Sequence, residues 1–268
     1  IASGLPVAFL LAGISAYRYL RQDRGQDVRA TLKVGIYAAA LLIPLQVVVG
    51  DLHGLNTLEH QPAKLAAMEG IWQTHKGAPA VLFALPDQAT QSNRFEIAIP
   101  NLASLYLTHS WDGEVKGIND FGTLHPPVAP VFWAFRIMVG VGLLMLAVSW
   151  FGAWRLRRGH EIGPWLARVL VSMTFAGWVA LIAGWYVTEI GRQPWLVTGV
   201  LTSVDAASTV PAGNIALTLS LYLVLYVVLL ASYVRVVFYL AGKARDKSRP
   251  LETSMAVPTG FSKAGGVS

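Results

Sequence analysis

The sequence predicts an all-α integral membrane protein, a bundle of about five transmembrane helices with one long outer loop. Three observations carry that prediction. Of 268 residues 54% are hydrophobic and only 13% are charged, about half the charged share of a soluble domain. The apolar residues fall in long uncharged runs, and the basic residues gather where those runs end. A net charge of +6 placed in this way follows membrane topology and excludes nucleic acid as a partner. With no cysteine in the chain, disulfides, Cys-ligated zinc and Cys-ligated iron–sulfur clusters are excluded.

Crossing about 30 Å of hydrocarbon takes about 20 apolar helical residues. The first run, Ile1 to Tyr17, is short and begins inside an apolar stretch, without the basic segment and cleavage site of a signal peptide. It reads as the middle of a helix in a C-terminal fragment or processed piece. The second run is Val34 to Gly50, and the third is Pro126 to Trp154, interrupted only by Arg136. The fourth is Val169 to Thr188, 20 uncharged residues between Arg168 and Glu189, and the fifth is Ala206 to Val234. This divides the chain into two helices over 1–50, an outer loop over 51–125, three helices over 126–242 and a polar tail over 243–268. The tail, with Pro250, Pro258 and several glycines, reads as disordered. No internal repeat is visible.

Arg18, Arg21, Arg24, Arg29 and Lys33 follow the first run. Arg155, Arg157, Arg158 and Arg168 follow the third, and Arg235, Lys243, Arg245, Lys247 and Arg249 follow the fifth. The positive-inside rule makes those ends and the C-terminus cytoplasmic. The segments 51–125 and 189–213 then lie outside, and the first of these carries four basic and eight acidic residues.

The outer loop is too long for a simple linker. Pro62 to Trp72 opens with a proline suited to a first helical turn and places Leu65, Met68 and Trp72 at helical spacing. Phe83, Leu85, Phe95, Ile97 and Ile99 cluster among turn residues, which gives the loop enough apolar surface to fold on the membrane face.

Chemistry concentrates at that outer face. Glu189 and Arg192 stand at the end of the fourth span with Trp185 and Trp195 around them, and charge at such a depth is usually functional. Trp185 and Glu189, four residues apart, share a helix face. The Glu189 carboxylate could ligate iron, carry protons or balance a cofactor, or it could be an interfacial partner of Arg192. The tryptophans could be aromatic-belt residues. Met138 lies about 18 Å along a helix begun at Pro126. It is either a packing methionine or an axial haem ligand. Arg136, two residues earlier, points to another side of the helix and needs a partner. Lys64 and Glu69, about 140° apart on the short helix, need not touch and could form a solvated face. The six histidines, at 53, 60, 75, 109, 125 and 160, all fall outside the spans.

Taken together, these residues resemble subunit I of the cytochrome bd-type quinol oxidases. Gly184-Trp185 with Glu189 and Gly191-Arg192-Gln193-Pro194-Trp195 resembles the family's most specific signature. Phe135-Arg136-Ile137-Met138-Val139 resembles a second, and Lys64-Leu65-Ala66-Ala67-Met68-Glu69 resembles the quinol-loop motif. Pro86-Asp87-Gln88, Asn93-Arg94-Phe95, Ile99-Pro100 and the opening Ala2-Ser3-Gly4 and Gly13-Ile14-Ser15-Ala16 also fit. The likeness extends to about Leu240.

The resemblance implies a haem-containing terminal oxidase of a bacterial inner membrane, with its quinol loop in the periplasm. Such an oxidase takes electrons from quinol through low-spin haem b to high-spin haem b and haem d, or a haem b in place of haem d. Dioxygen becomes water, and a proton-motive force arises without pumping. Met138 would ligate the low-spin haem iron and Arg136 would stabilise that haem. Glu189 would ligate or balance the high-spin haem b, Trp185 would lie on the electron path, and Arg192 would meet propionates or carboxylates. Lys64 and Glu69 would bind and deprotonate quinol. The partners implied are subunit II, a small single-helix subunit, quinol, dioxygen and the lipid bilayer. The family's second low-spin ligand, a histidine, would fall about two residues before Ile1, so the fragment by itself would be catalytically incomplete. The short stretch from Ile99 to His125 resembles the short-loop branch, which includes cyanide-insensitive oxidases. A membrane transporter or channel with Arg136 and Glu189 lining a polar path is the alternative, and a non-catalytic scaffold is a third reading.

Overall fold

A computed structural model of the chain describes residues 1–247. Helices α1 (Gly4–Leu20), α2 (Gln26–His60), α5 (Val128–Arg157), α6 (Pro164–Ser172), α7 (Ala176–Gly191) and α8 (Ala212–Lys247) form the bundle. The segment between α2 and α5 folds as a compact cap of α3 (Pro62–Glu69), α4 (Leu102–Thr108), a 3₁₀ turn at Ile118–Phe121 and two antiparallel ribbons. One ribbon pairs β1 (His75–Lys76) with β4 (Glu114–Val115), and the other pairs β2 (Ala80–Asp87) with β3 (Ser92–Ile99). A third short ribbon, β5 (Trp195–Val197) with β6 (Leu201–Thr202), joins α7 to α8.

Four helical stretches are long and apolar enough to span a bilayer, namely α2, α5, the α6–α7 unit and α8. The shorter α1 is apolar as well. The helical bundle is therefore as the sequence predicts, with three differences in its elements. Helix α2 continues to His60, so Asp51–His60 is helix and not the start of a loop. The fourth span is two helices. It starts earlier, where Pro164 occupies the first turn, and it breaks at Met173–Phe175. There the Thr174 hydroxyl donates to the Val171 carbonyl at 2.6 Å, a bond that competes with the helical ladder. Finally, α8 runs to Lys247, so the first residues assigned to the tail are helical. The rest of that expected disordered tail lies outside the described residues.

The main core lies where α1, α2, α5 and α6 meet, around Phe9, Ile36, Met145 and Leu170. Glycine permits the close crossings. A Cβ on Gly35 of α2 would fall 2.7 Å from the Ala12 amide nitrogen of α1, and one on Gly177 of α7 would fall 2.6 Å from Pro6 Cα. Small residues at such crossings bring helix backbones together where no hydrophobic force from water acts between them. The two arginine-rich connections meet at one end of the bundle. Glu161 there is ion-paired with Arg29 at 3.2 Å and Arg24 at 3.9 Å and accepts a hydrogen bond from the Tyr19 hydroxyl at 3.3 Å. The cap sits at the opposite end. Helix α8 is exposed along its whole apolar window and touches the bundle through Tyr17–Phe238 and Phe175–Tyr233.

Candidate functional site

The short helix α3 is set by Pro62 in its first turn and ended by Gly70, which adopts φ 70°. Glycine is required at that position twice over. Its φ is left-handed, and a Cβ would lie 2.8 Å from the Phe132 ring of α5. The close approach seats the end of α3 on α5.

Arg136 of α5 fixes that seat. Its guanidinium donates to the Met68, Glu69 and Val81 carbonyls, and it lies 3.7 Å from the Glu69 carboxylate. It also stacks 3.5 Å from the Phe132 ring centroid. One side chain thus ties α5 to the end of α3 and to strand β2. Glu69 is 3% exposed. Burial raises its carboxyl pKa above the ordinary range, against the opposing pull of Arg136 and a hydrogen bond with Tyr106. Tyr106, on α4, is raised in turn by burial and by the Glu69 charge.

Lys64 leaves α3 on another side. Its stem covers Gly191 at the end of α7, where a Cβ would meet Lys64 Cγ at 3.0 Å. Burial and the nearby Arg192 lower its ammonium pKa, and Glu189 pulls the other way. Glu189 and Arg192, three residues apart, are ion-paired to each other, and both are part-exposed. Arg192 Nε is buried and has no hydrogen-bond partner among the described residues. Both Lys64 and Glu69 are buried, so the solvated-face alternative is wrong. The approximate 140° between them directs one toward α7 and the other toward α5.

Met138 projects toward α7, where the absence of a side chain at Gly184 makes room for its sulfur. A Cβ there would be 2.9 Å from Met138 Sδ. Arg136 and Met138 therefore diverge, one serving the cap and the other the gap between α5 and α7. Trp185 is largely exposed, with its ring centroid 6.3 Å from that of Tyr186. The structure brings Lys64 to Glu189 and Arg192, and Glu69 to Arg136. Met138 instead lies against Gly184, and Trp185 is turned outward beside Tyr186. No group of three or more His, Cys, Asp or Glu side chains suited to a metal ion occurs among the described residues. Tyr106 was missed from sequence. It lies between Ser104 and Thr108 in the helix Leu102–Thr108, with no spacing that ties it to Glu69. A cleft of about 200 Å³ lies beside this region, lined by Trp72, His75, Val81, Asn93 and Glu96 among others.

The fold and this site define a helical membrane protein that gathers acid, base and thioether groups at one end of its bundle. The family model described as cytochrome bd terminal oxidase subunit I matches residues 1–245, and the chain belongs to that family. It is similar to "Cytochrome bd ubiquinol oxidase subunit 1" of Bacillus subtilis (strain 168), 34% identical over 83% of this chain and 50% of that protein. It is also similar to "Cytochrome bd-II ubiquinol oxidase subunit 1" of Escherichia coli (strain K12), 28% identical over 85% of this chain and 57% of that one. The solved bd oxidase from Geobacillus thermodenitrificans superposes with a TM-score of 0.79 at 27% identity, covering 93% of this chain and 56% of its own. The chain thus spans about half the length of the relatives it matches.

Proposed function

We propose that this chain is the quinol-oxidising and haem-holding part of a bd-type quinol:oxygen oxidoreductase in a bacterial inner membrane, with its cap on the periplasmic side and its C-terminus in the cytoplasm. The observation that supports it most is the pair of buried groups on α3. Lys64 and Glu69 reach the ends of the two spans that carry Glu189 and Met138. Family membership argues against the transporter alternative and against a scaffold without chemistry.

In this reading Glu69 takes a hydroxyl proton from quinol and Lys64 holds the developing negative oxygen. A carboxyl raised by burial is a stronger base than an exposed one and is better matched to near-neutral pH. Bound haem would supply the electron acceptors and the oxygen-reducing centre. The side chains present suit haem. Met138 offers a thioether in a gap that a side chain at 184 would fill, Glu189 offers a carboxylate, and Arg192 carries an unpaired buried N–H. Met138 would hold low-spin haem b, Glu189 would hold or balance high-spin haem b, and haem d or a haem b would complete the oxygen site. Trp185 would lie between them. Arg136, whose donors already serve the cap, would act on the low-spin haem by holding α5 and the cap in place. Proton release to the outside and proton uptake from the inside generate the gradient without a pump. Subunit II and a small single-helix subunit would complete the complex.

The test uses the complete oxidase in membranes. Glu69→Gln should lower quinol oxidation at least about tenfold, since general bases contribute about 10²–10⁴-fold, and leave reduced-minus-oxidised haem spectra intact. Met138→Leu should alter the low-spin haem spectrum. Unchanged quinol turnover in the first variant and an unchanged spectrum in the second would overturn the two assignments.

A further inference from the structure

The β2–β3 hairpin has two unlike faces. Val81 and Ala98 pair across the strands and, with Ala84, pack on Phe132 and Trp133 of α5. The other face carries Leu82, Phe83, Leu85, Phe95, Ile97 and Ile99, exposed by between 41% (Phe83) and 78% (Phe95). Phe83 and Ile97 are cross-strand partners, so they share that face. Phe95 stands at φ 53°, a left-handed conformation that a bulky residue rarely adopts. Its ring is nonetheless the most exposed on the hairpin. A water-facing hairpin would alternate polar residues on this side. Here the polar exception is Arg94, the cross-strand partner of Leu85, which stands next to the tip and pairs with Asp87 at 2.7 Å, while Asn93 and Glu96 line the neighbouring cleft.

The depth of the hairpin can be read from α5. Phe83 meets Trp133 edge-on, with ring centroids 5.2 Å apart. Below Trp133, an exposed apolar stripe runs down α5 through Ile137, Leu144 and Phe151 at helical spacing. The stripe ends in a second aromatic cluster, in which Phe151 lies 5.9 Å from Trp154 and 6.5 Å from Trp165. From Trp133 to Trp154 is about 31 Å at 1.5 Å per residue, close to the roughly 30 Å of hydrocarbon in a bilayer. Tryptophans mark the two membrane–water boundaries of a span. Trp133 is then at the outer boundary, and the apolar face of the hairpin continues the lipid-facing stripe of α5 at headgroup level.

We infer that the β2–β3 hairpin is a membrane-seated flap, with its Phe83, Phe95 and Ile97 face resting in the outer leaflet and its polar tip in water. Apolar surface buried at the headgroup–acyl boundary, with polar groups beside it, is how interfacial segments bind membranes.

The test is a depth measurement on the complete complex in phospholipid nanodiscs. Nitroxide labels are placed singly at Phe95→Cys, Ile97→Cys and Gln88→Cys, with other accessible cysteines of the complex replaced. Collision with dissolved oxygen, which partitions into lipid, is compared with collision with a water-soluble nickel chelate. The ratio of oxygen to nickel collision should be several-fold higher at 95 and 97 than at 88. Preference for nickel at 95 and 97 means that the face is in water and overturns the inference. Protection from both reagents means that protein covers it, which overturns the inference equally. Position 97 serves as an independent reading if the strained position 95 does not tolerate substitution.

Discussion

Glu69 is a carboxylate buried within the cap. It is fully enclosed, its carboxylate is 3.7 Å from Arg136, and burial outweighs that cation. Its folded-state pKa is therefore above the ordinary value near 4.5. The native state then holds this proton more tightly than the unfolded state, and the Glu69 contribution to stability falls as pH rises through that window. Glu69→Gln keeps the shape and removes the titration. The thermal midpoint of the wild-type complex, relative to the Gln variant, should decline from pH 4.5 upward and level off once Glu69 is ionised. A difference constant across pH 4.5 to 8 would show that Glu69 is solvated and not buried. Lys64 carries the opposite shift, lowered by burial and by Arg192. The two groups of α3 are thus each moved toward their neutral forms, on opposite sides of the helix. Sequence identified both through a resemblance. Spacing gave the angle between them but could not give the Phe132, Arg136 and Gly191 surfaces that bury them. Tyr106 illustrates the same limit, because its contact with Glu69 joins residues far apart in the chain.

Helix α2 shows how an element can tolerate a residue that should break it. Pro44 lies inside the helix and has no N–H for the Ala40 carbonyl, four residues earlier. The indole Nε1 of Trp150 on α5 donates to that carbonyl at 3.0 Å. An unpaired carbonyl in lipid has no water to turn to, so this bond does more than decorate an aromatic belt. Trp150→Phe should destabilise the protein by about 1–3 kcal/mol, read from thermal unfolding of the purified complex. Pro44→Ala restores the helical donor, and in that background Trp150→Phe should have a much smaller effect. Equal losses in both backgrounds would remove Trp150 from this role. Such a pair is invisible in sequence, where Trp150 looks like any interfacial tryptophan. The spans themselves were legible because bilayer thickness is a one-dimensional constraint that an uncharged run either meets or does not. The break at Met173–Phe175 was not, since it depends on a threonine hydroxyl and on α1, whose Gly13 lies so close that a Cβ would be 2.1 Å from Thr174 Oγ1. The hairpin was half legible. The apolar residues at 83, 85, 95, 97 and 99 stood out, but their pairing and their outward direction did not.

At the scale of the whole molecule, a helical bundle carries a cap that shares apolar cores with α5 and α7, and two polar side chains add to that seat. Lys64 reaches down to α7, and Arg136 reaches up from α5 to the Met68, Glu69 and Val81 carbonyls and the Glu69 carboxylate. The Arg136 bonds depend on a planar fork of donors that a lysine, with a single rotatable ammonium, does not reproduce. Arg136→Lys preserves the charge beside Glu69 while losing most of the carbonyl bonds, so it isolates the attachment from the electrostatics. Losing about 1–3 kcal/mol of hydrogen bonding corresponds to roughly a fivefold to hundredfold increase in local opening, at about 1.4 kcal/mol per factor of ten. Hydrogen exchange on the complete complex should show that loss of protection in the cap, over α3 and the β2–β3 hairpin. The amides of α1 and α2, which make none of these bonds, should keep theirs. A uniform change across cap and bundle would mean that Arg136 supports global folding, and no change would mean that the apolar contacts of Gly70 and Val81 with Phe132 hold the cap without it. Localised loosening would establish the cap as a unit whose position over α5 and α7 is set from within the span that also carries Met138. The proton chemistry proposed for Glu69 would then be coupled to that span through Arg136 as well as through the apolar seat on Phe132.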